Sequence, residues 1–298
     1  MNGHILSRTP QRMSWAVASL AVVAATWTVL DPGLLHGPRA MVGSARGTAL
    51  VVLAVAVPVL LVSARKAIAG RAPAVFTWIG SLLYLQYNAV LLLFLTPFNA
   101  AFLLYVAMLA TSLWSVGTLA FSLDAAALAR GFSPRAPVRT VSVYTWAVVV
   151  LNAAAWLAVV VPALRGPFPP SFLAGTGVAT NAVYVQDLAV WLPLGAVAAW
   201  WLWRREVRGL VVVPSLLALW AMESISIAVD QWWGSRLDPE STVVSATLVA
   251  PFVGLALVAA VPLVLILRRF DGSASAMASE RRPVSPSADA RAHEGSLS

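Results

Sequence analysis

The chain alternates between long apolar runs and short polar segments. A helix needs about 20 apolar residues to cross roughly 30 Å of hydrocarbon. Backbone groups in lipid must be paired within their own segment, so each such run is predicted to be a helix. The pattern predicts an all-α fold, a polytopic transmembrane helix bundle with eight spans. The predicted spans are 14–30, 47–62, 74–95, 100–123, 141–163, 184–203, 210–229 and 243–267.

Basic residues collect on alternate connections, and this predicts the orientation of the bundle. If the amino terminus is cytoplasmic, 16 of the 20 lysine and arginine residues fall on the cytoplasmic side. The other four are Arg39, Arg46, Arg165 and Arg236. Because cytoplasmic segments of membrane proteins are enriched in basic residues, both termini are predicted to be cytoplasmic.

The same pattern divides the chain into three segments. Residues 1–13 are predicted to be a cytoplasmic N-terminus, and residues 14–270 the eight-helix transmembrane domain. Residues 271–298 are rich in Ser, Ala, Arg and Glu and contain few large apolar groups. Such a composition cannot bury enough apolar surface to fold, so a disordered cytoplasmic tail is predicted.

Composition excludes several classes of protein. Apolar residues make up 60% of the chain and charged residues 11%, whereas about 25% of an ordinary soluble domain is charged. Cysteine is absent, which excludes a disulfide-built domain and a cysteine-ligated metal site. The net charge of +8 requires no nucleic-acid partner, because the cytoplasmic bias already explains it. The three histidines lie in terminal or loop segments and no phosphate-binding glycine motif occurs, so no metal and no cofactor is predicted.

Tryptophans cluster near the ends of the predicted spans. An indole prefers the headgroup region, so a membrane-interface belt is favoured over an aromatic ligand cage. The residues near predicted inner ends are Trp15, Trp78, Trp200, Trp201 and Trp203, and those near outer ends are Trp27, Trp232 and Trp233.

The connections carry weaker signals. Residues 96–99 form a short turn, so spans three and four are predicted to be antiparallel neighbours. The external connection 164–183 is rich in proline and glycine and is predicted to lie on the outer face or to dip inward as a lid. Gly43 and Gly47 match a small-residue packing motif, but they lie at the edge of predicted span two, so no packing role is assigned to them.

Polar groups inside the spans are the candidates for chemistry, because placing them in lipid is costly. Glu223 has apolar neighbours on both sides, and a carboxylate there costs on the order of 2–3 kcal/mol. Ser226 and Asp230 follow at i+3 and i+7 and share its helix face. Seven residues place Glu223 roughly 10 Å below the predicted outer end of span seven.

Spans three and six offer partners for Glu223. Tyr84, Tyr87 and Asn88 share one helix face, and Asp187 lies near the start of span six. If spans three, six and seven are neighbours, these side chains form an outward-facing ligand pocket. Its predicted lining residues are Glu223, Asp187, Tyr84, Tyr87, Asn88, Ser226 and Asp230.

Several of these polar residues also have a structural interpretation. Asn99 and Asn181 precede apolar helices, where asparagine is a favoured N-cap. Asp187 suits the positive start of a helix dipole. Asp31 and Asp230 fit solvated helix ends at the membrane interface.

Two stretches resemble an uncharacterised group of bacterial multi-pass inner-membrane proteins. The first, within residues 83–105, contains LYLQYNA and PFNAAFLLY; the second, within 180–193, contains TNAVYVQDL and WLP. The resemblance covers roughly spans three to six. It implies a bacterial inner membrane and assigns no residue a catalytic role.

Three functions fit these observations. The first is the binding or transport of a small apolar or amphiphilic molecule at an outward-facing pocket around Glu223. The second is an intramembrane enzyme acting on a lipid or isoprenoid, with Glu223 or Asp187 as general acid. The third is a structural or assembly subunit in which the polar residues only hold helices together. No internal repeat supports a transporter built from two halves, and the only partner common to all three is the lipid bilayer.

Overall fold

The structure, a computed structural model, describes residues 8–270. Within this range, eight helices are long and apolar enough to cross a membrane, which confirms the predicted all-α bundle of eight spans. The spanning helices are α1 (Arg8–Leu30), α2 (Arg39–Ile68), α3 (Ala74–Phe94), α4 (Phe102–Ser122), α5 (Val138–Ala163), α6 (Ala182–Trp203), α7 (Val207–Leu237) and α8 (Ala246–Leu267). We call the end where α1 begins and α8 finishes the arginine-rich end.

Two predicted segments lie wholly or partly beyond this range. The disordered tail predicted at 271–298 falls outside the described residues, as do residues 1–7 of the predicted cytoplasmic N-terminus. The remainder of that N-terminal segment is helical, because α1 already begins at Arg8.

Two helices extend about two turns beyond their predicted spans. α2 begins at Arg39 rather than at residue 47, and α7 continues to Leu237 rather than ending at residue 229. The added turns carry polar residues such as Asp230, and for this reason the apolar pattern ended there. They are helical because the extended ends of α2 and α7 pack against each other.

Gly43 and Gly47 make that packing possible, so leaving them without a packing role was wrong. A Cβ atom at Gly43 would lie 2.7 Å from the Gly234 Cα atom, and one at Gly47 would lie 2.7 Å from the Asp230 Cα atom. Only a residue without a side chain fits such close backbone contact. This is the small-residue interface by which helices associate in lipid, where no hydrophobic force drives them together.

α7 is the central helix of the bundle. It packs against α2, α3, α6 and α8, while α1 contacts α4 and α2, and α5 contacts α6. α5 and α8 lie at the periphery of the bundle. In the most apolar 18 residues of each helix, only 6% (α5) and 17% (α8) are buried against protein. Their remaining apolar side chains form a surface suited to lipid.

Two helices contain a π-helical turn, at Val52–Ala56 in α2 and at Asp187–Trp191 in α6. Each turn ends two residues before a proline, Pro58 or Pro193. Proline lacks an N–H group and its ring clashes with the preceding turn, and a locally widened turn relieves this conflict. In α6 the widened turn leaves both Asp187 and Trp191 buried.

The connections at the arginine-rich end are ordered by local bonds. The connection between α4 and α5 contains a short helix, Ala125–Arg130, which the sequence did not predict; the Asp124 carboxylate accepts from the Ala127 N–H at 2.9 Å and caps it. Phe132 follows this helix and packs on Phe270, with ring centroids 4.9 Å apart. This contact ties the last described turn of the chain to the α4–α5 connection.

Most of the terminal tryptophans fit the predicted belt, but Trp78 does not. Trp15, Trp27, Trp200, Trp203 and Trp232 are each more than one third exposed. Trp78 is fully buried and donates its indole N–H to the Ser14 hydroxyl at 2.8 Å. It therefore links α3 to α1 inside the bundle, and the belt interpretation was wrong for this residue.

Candidate functional site

α3 and α7 meet closely at the centre of the bundle. A Cβ atom at Gly80 would lie 2.6 Å from the Ser215 carbonyl oxygen, so the two backbones are in contact there. Further along the same pair of helices, the Tyr84 hydroxyl donates to the Ser226 hydroxyl at 3.0 Å. Both side chains are buried. Spans three and seven are therefore neighbours, as the predicted pocket requires.

Glu223 lies farther from the end of α7 than the sequence indicated. It stands 14 residues before the end of α7 at Leu237, a distance of about 21 Å along the helix. The predicted distance of roughly 10 Å to the helix end was too short, because Asp230 was taken as that end. The Glu223 Oε2 atom is buried and has no hydrogen-bond partner among the described residues.

Predicted site residues of α3, α6 and α7 lie in one region of the bundle, where Tyr84 contacts Ser226 and Tyr87 contacts Trp191. The Glu223 carboxyl group lies close enough to those of Asp230 and Asp187 for their charges to interact. The hydroxyls of Tyr84 and Tyr87 lie within the same range of Glu223. α3, α6 and α7 thus contribute to one group, which we call the polar cluster: Tyr84, Tyr87, Asn88, Asp187, Glu223, Ser226 and Asp230.

Asn88 contributes a second unpaired acceptor. Its amide N–H donates to the Tyr84 carbonyl oxygen one turn earlier, at 3.0 Å. Its Oδ1 atom is buried and, like Glu223 Oε2, has no partner within the described part of the chain. The side chain is 1% exposed, so in this structure bulk water does not reach it.

Asp187 belongs to the widened turn of α6 and not to the start of that helix. α6 begins at Ala182, after Asn181, whose side-chain oxygen accepts from the Val183 N–H at 2.9 Å. The capping role of Asn181 is confirmed, and the dipole interpretation of Asp187 was wrong because the residue lies beyond the first turn. The buried Asp187 carboxylate instead accepts from the Trp156 indole N–H at 2.8 Å.

Sequence reasoning missed the residues that surround Asp187. Trp156 lies in the interior of α5, away from the span ends where tryptophans were expected. That position was the available signal for a buried hydrogen-bonding role. Trp191 donates to the Gln186 side-chain oxygen at 3.1 Å and packs on Tyr87, with ring centroids 6.0 Å apart.

Asp31 and Asp230, which were both predicted to lie at helix ends, have different surroundings. Asp31 follows α1 and accepts from the Trp27 indole N–H and the Gly33 N–H, and the Gly33 bond lowers the pKa of its carboxyl. Asp230 lies inside α7, where it accepts from Gln231 at 3.1 Å beside Gly47 of α2. The helix-end interpretation fits Asp31 and was wrong for Asp230.

Asn99 organises a turn and does not cap α4 directly. Its side-chain oxygen accepts from the Ala101 N–H at 2.9 Å, and its amide donates to the Pro97 carbonyl oxygen. The N-cap position itself is occupied by Ala101. The turn joins α3 and α4, which pack against each other as predicted.

The connection between α5 and α6 packs on the aromatic residues beside Asp187. Phe172 packs on Tyr184 with ring centroids 5.3 Å apart, and Tyr184 packs on Trp156 at 4.6 Å. These rings lead from the connection to the Asp187 carboxylate. Two cavities, of about 490 and 300 Å³, open on the surface of the described part of the chain. No residue of the polar cluster lines either of them.

Among residues 8–270, no group of three or more histidine, aspartate or glutamate side chains is placed to hold a metal ion. The functional groups of the polar cluster are carboxyl, hydroxyl and amide groups.

No protein-family model, curated protein or solved structure matches the chain. The eight helices of residues 8–270 that are long and apolar enough to span a membrane define the class, a multi-pass membrane protein.

Proposed function

We propose that the chain binds or transports a small amphiphilic molecule at the polar cluster around Glu223. The observation that carries the proposal is the buried Glu223 Oε2 atom, which has no partner within residues 8–270. An unpaired buried acceptor costs about 1–3 kcal/mol, and more when it is charged. Carboxyl groups that serve only structure are normally paired. We infer that a ligand group, alone or together with a proton, completes this site.

The two unpaired atoms of the polar cluster specify the head of the ligand. Glu223 Oε2 and Asn88 Oδ1 are both acceptors, and the Tyr84 hydroxyl lies near both side chains. A head group that donates hydrogen bonds, an ammonium or a hydroxyl, satisfies both acceptors. The aromatic pair Tyr87 and Trp191 offers an apolar surface to the remainder of the molecule.

Entry from the outer side would require the external connection to move. Phe172 and Tyr184 cover the approach to Asp187, and Asn88 is closed to bulk water. The described state then corresponds to a closed form of the site. An outward-facing form would separate Phe172 from Tyr184.

A structural role is supported by a different observation. Two hydrogen bonds in this region, Tyr84 to Ser226 and Trp156 to Asp187, form between protein side chains and join separate helices. If the whole cluster served only helix association, Glu223 would need no access to ligand. The two functions are therefore distinguished by whether the cluster opens to solvent.

The proposal includes the orientation and the membrane. The 16 to 4 distribution of basic residues favours cytoplasmic termini, which makes the arginine-rich end cytoplasmic. The resemblance of residues 83–105 and 180–193 to bacterial multi-pass proteins favours a bacterial inner membrane.

Single cysteines provide a test, because the natural chain contains none. Ser226→Cys places a thiol in the cluster while keeping Glu223. In intact cells it should react with a cationic, membrane-impermeant methanethiosulfonate, and n-hexylamine should slow that reaction whereas hexanoate should not. Adding Glu223→Gln to this variant should remove the protection by hexylamine.

Two further cysteines control for access. Ser215→Cys, buried on the same helix, should stay unreactive, and Ser171→Cys, in the exposed external connection, should react equally with and without hexylamine. If Ser226→Cys is as unreactive as Ser215→Cys, the cluster is sealed and the structural role is favoured. Reaction without protection by hexylamine contradicts the proposed head group.

A further inference from the structure

The larger of the two surface cavities lies at the arginine-rich end, between the start of α5 and the turn that joins α6 to α7. Its volume is about 490 Å³. Residues 136–140 form one wall and residues 203–205 form the other. We call it the arginine cavity, because Arg139, Arg204 and Arg205 all line it.

Two of these guanidinium groups are available for a ligand. Arg139 stacks on the Trp203 ring at 5.4 Å, and Arg204 stacks on the Trp200 ring at 5.1 Å. Neither side chain donates a hydrogen bond or forms an ion pair with another residue between 8 and 270, and both are exposed. Stacking orients a guanidinium while leaving its N–H groups free for an anion.

The third arginine holds the cavity together. Arg205 adopts a left-handed backbone conformation, with φ of 58°, at a position after a helix where glycine is usual. Its guanidinium donates to the carbonyl oxygens of Pro134 and Ala136, at 2.6 and 3.0 Å. This bridge fixes the α6–α7 turn to the start of α5, so the walls are in place before a ligand arrives.

An apolar groove continues from this cavity along α5 and α6, away from the arginine-rich end. We call it the tryptophan groove; its volume is about 300 Å³ and it is lined by Val143, Trp146, Trp200 and Trp203. All four side chains are at least 40% exposed. Trp203 belongs to both sites, so the cationic cavity opens directly onto an apolar surface between α5 and α6.

We propose that the arginine cavity and the tryptophan groove together bind one anionic phospholipid. Arg139 and Arg204 hold the phosphate, since guanidinium groups bind phosphate oxygens in bidentate fashion. The tryptophan groove receives the adjoining acyl chain. Basic pockets between helices are typical sites for anionic lipid headgroups. This site is separate from the polar cluster and does not depend on its proposed function.

The test compares lipids on the purified full-length chain in dodecylmaltoside micelles. Native mass spectrometry should detect tight binding of dioleoyl phosphatidylglycerol and much weaker binding of dioleoyl phosphatidylcholine. The double variant Arg139→Gln/Arg204→Gln should bind phosphatidylglycerol at least about tenfold more weakly. Because both arginines are exposed, the substitutions leave the fold intact.

A matched control variant removes two other arginine charges at the arginine-rich end. Arg65 and Arg208 also stack on tryptophans, Trp15 and Trp201, but line neither cavity. Arg65→Gln/Arg208→Gln should retain phosphatidylglycerol binding within about twofold. Equal losses in the two double variants, or equal binding of the two lipids, would overturn the proposal. Displacement of the lipid by millimolar glycerol 3-phosphate would show a site for free anions and would also overturn it.

Discussion

Glu223 lies near the middle of the longest helix, yet its Oε2 atom has no hydrogen-bond partner within residues 8–270. Its neighbours Asp187 and Tyr84 do have partners. The residue as a whole is only partly buried, but folding alone does not favour Oε2 in this state, because burial removes its hydration without replacing it. Proteins retain such groups where activity requires them, at the expense of stability.

This argument predicts that Glu223→Met stabilises the ligand-free protein. The variant should raise the free energy of unfolding by about 1–3 kcal/mol, because it removes an unpaired buried acceptor and fills similar volume. Thermal and denaturant unfolding in detergent micelles measure this change. Glu240→Met, in the exposed α7–α8 connection, should change stability by less than about 0.5 kcal/mol. Destabilisation by Glu223→Met would mean that the carboxyl is paired and structural.

Residue spacing predicted the shared helix face of Tyr84 and Asn88 but placed Asp230 wrongly at a helix end. Tyr84 and Asn88 lie on one helix face, as i, i+4 spacing requires, and the structure pairs them. Asp230 was assigned to a helix end because polar residues usually end a span. It is internal because α2 packs beside it at Gly47, and this contact joins segments about 180 residues apart, beyond the reach of any local pattern.

At the level of elements, α2 and α7 show how contact between helices changes their length. Both continue through residues that hydropathy assigns to loops. A polar turn is costly where it faces lipid, but it is tolerated where another helix covers it. Gly43 and Gly47 bring the two backbones into that contact.

Gly47→Ala should therefore destabilise the protein. The new Cβ atom would lie 2.7 Å from backbone atoms of Asp230 and Val229, and such overpacking costs about 1–3 kcal/mol. Gly117→Ala is the matched change, since nothing lies within 4 Å of its Cβ position on α4. It should stabilise the helix by about 0.5–1 kcal/mol. Melting temperatures of both variants, measured side by side, test the prediction; equal shifts would contradict the close contact of α2 and α7.

The widened turn of α6 is an element-level feature that sequence reasoning did not predict. Pro193 lies within the span, and a proline there bends a helix. The sequence did not reveal that the bend takes the form of a π-helical turn, Asp187–Trp191. Such turns are frequent at functional sites, and here the turn places Asp187 opposite Trp156 and near Glu223.

For the whole molecule, the arrangement of the helices separates a protein core from a lipid surface. α7 is enclosed by four neighbours, whereas α5 and α8 remain largely uncovered. The polar cluster lies where α3, α6 and α7 meet, and the arginine cavity opens at the surface of the arginine-rich end. The two proposed sites are therefore separate and differ in chemistry.

Cysteine labelling tests the orientation of the whole bundle. Single cysteines at Ser171 and Ser235 should react with a membrane-impermeant thiol reagent in intact cells, and one at Ser133 should not. The expectation follows from the 16 to 4 distribution of basic residues. Permeabilising the cells should make Ser133→Cys reactive, which controls for steric protection. The reverse pattern would place the arginine-rich end outside.

The sequence by itself determined the class of protein and the number of spanning helices. Hydropathy is a local property, and a run of about 20 apolar residues has a single stable outcome in a bilayer. Tertiary structure alone decided which helices are neighbours, and therefore that Trp156 pairs with Asp187 and that Glu223 lies unpaired among carboxyls and tyrosines. In lipid, apolar faces have no preference for one another, so close packing and a few hydrogen bonds select the partners. Those contacts join residues far apart in the chain, and no local pattern records them.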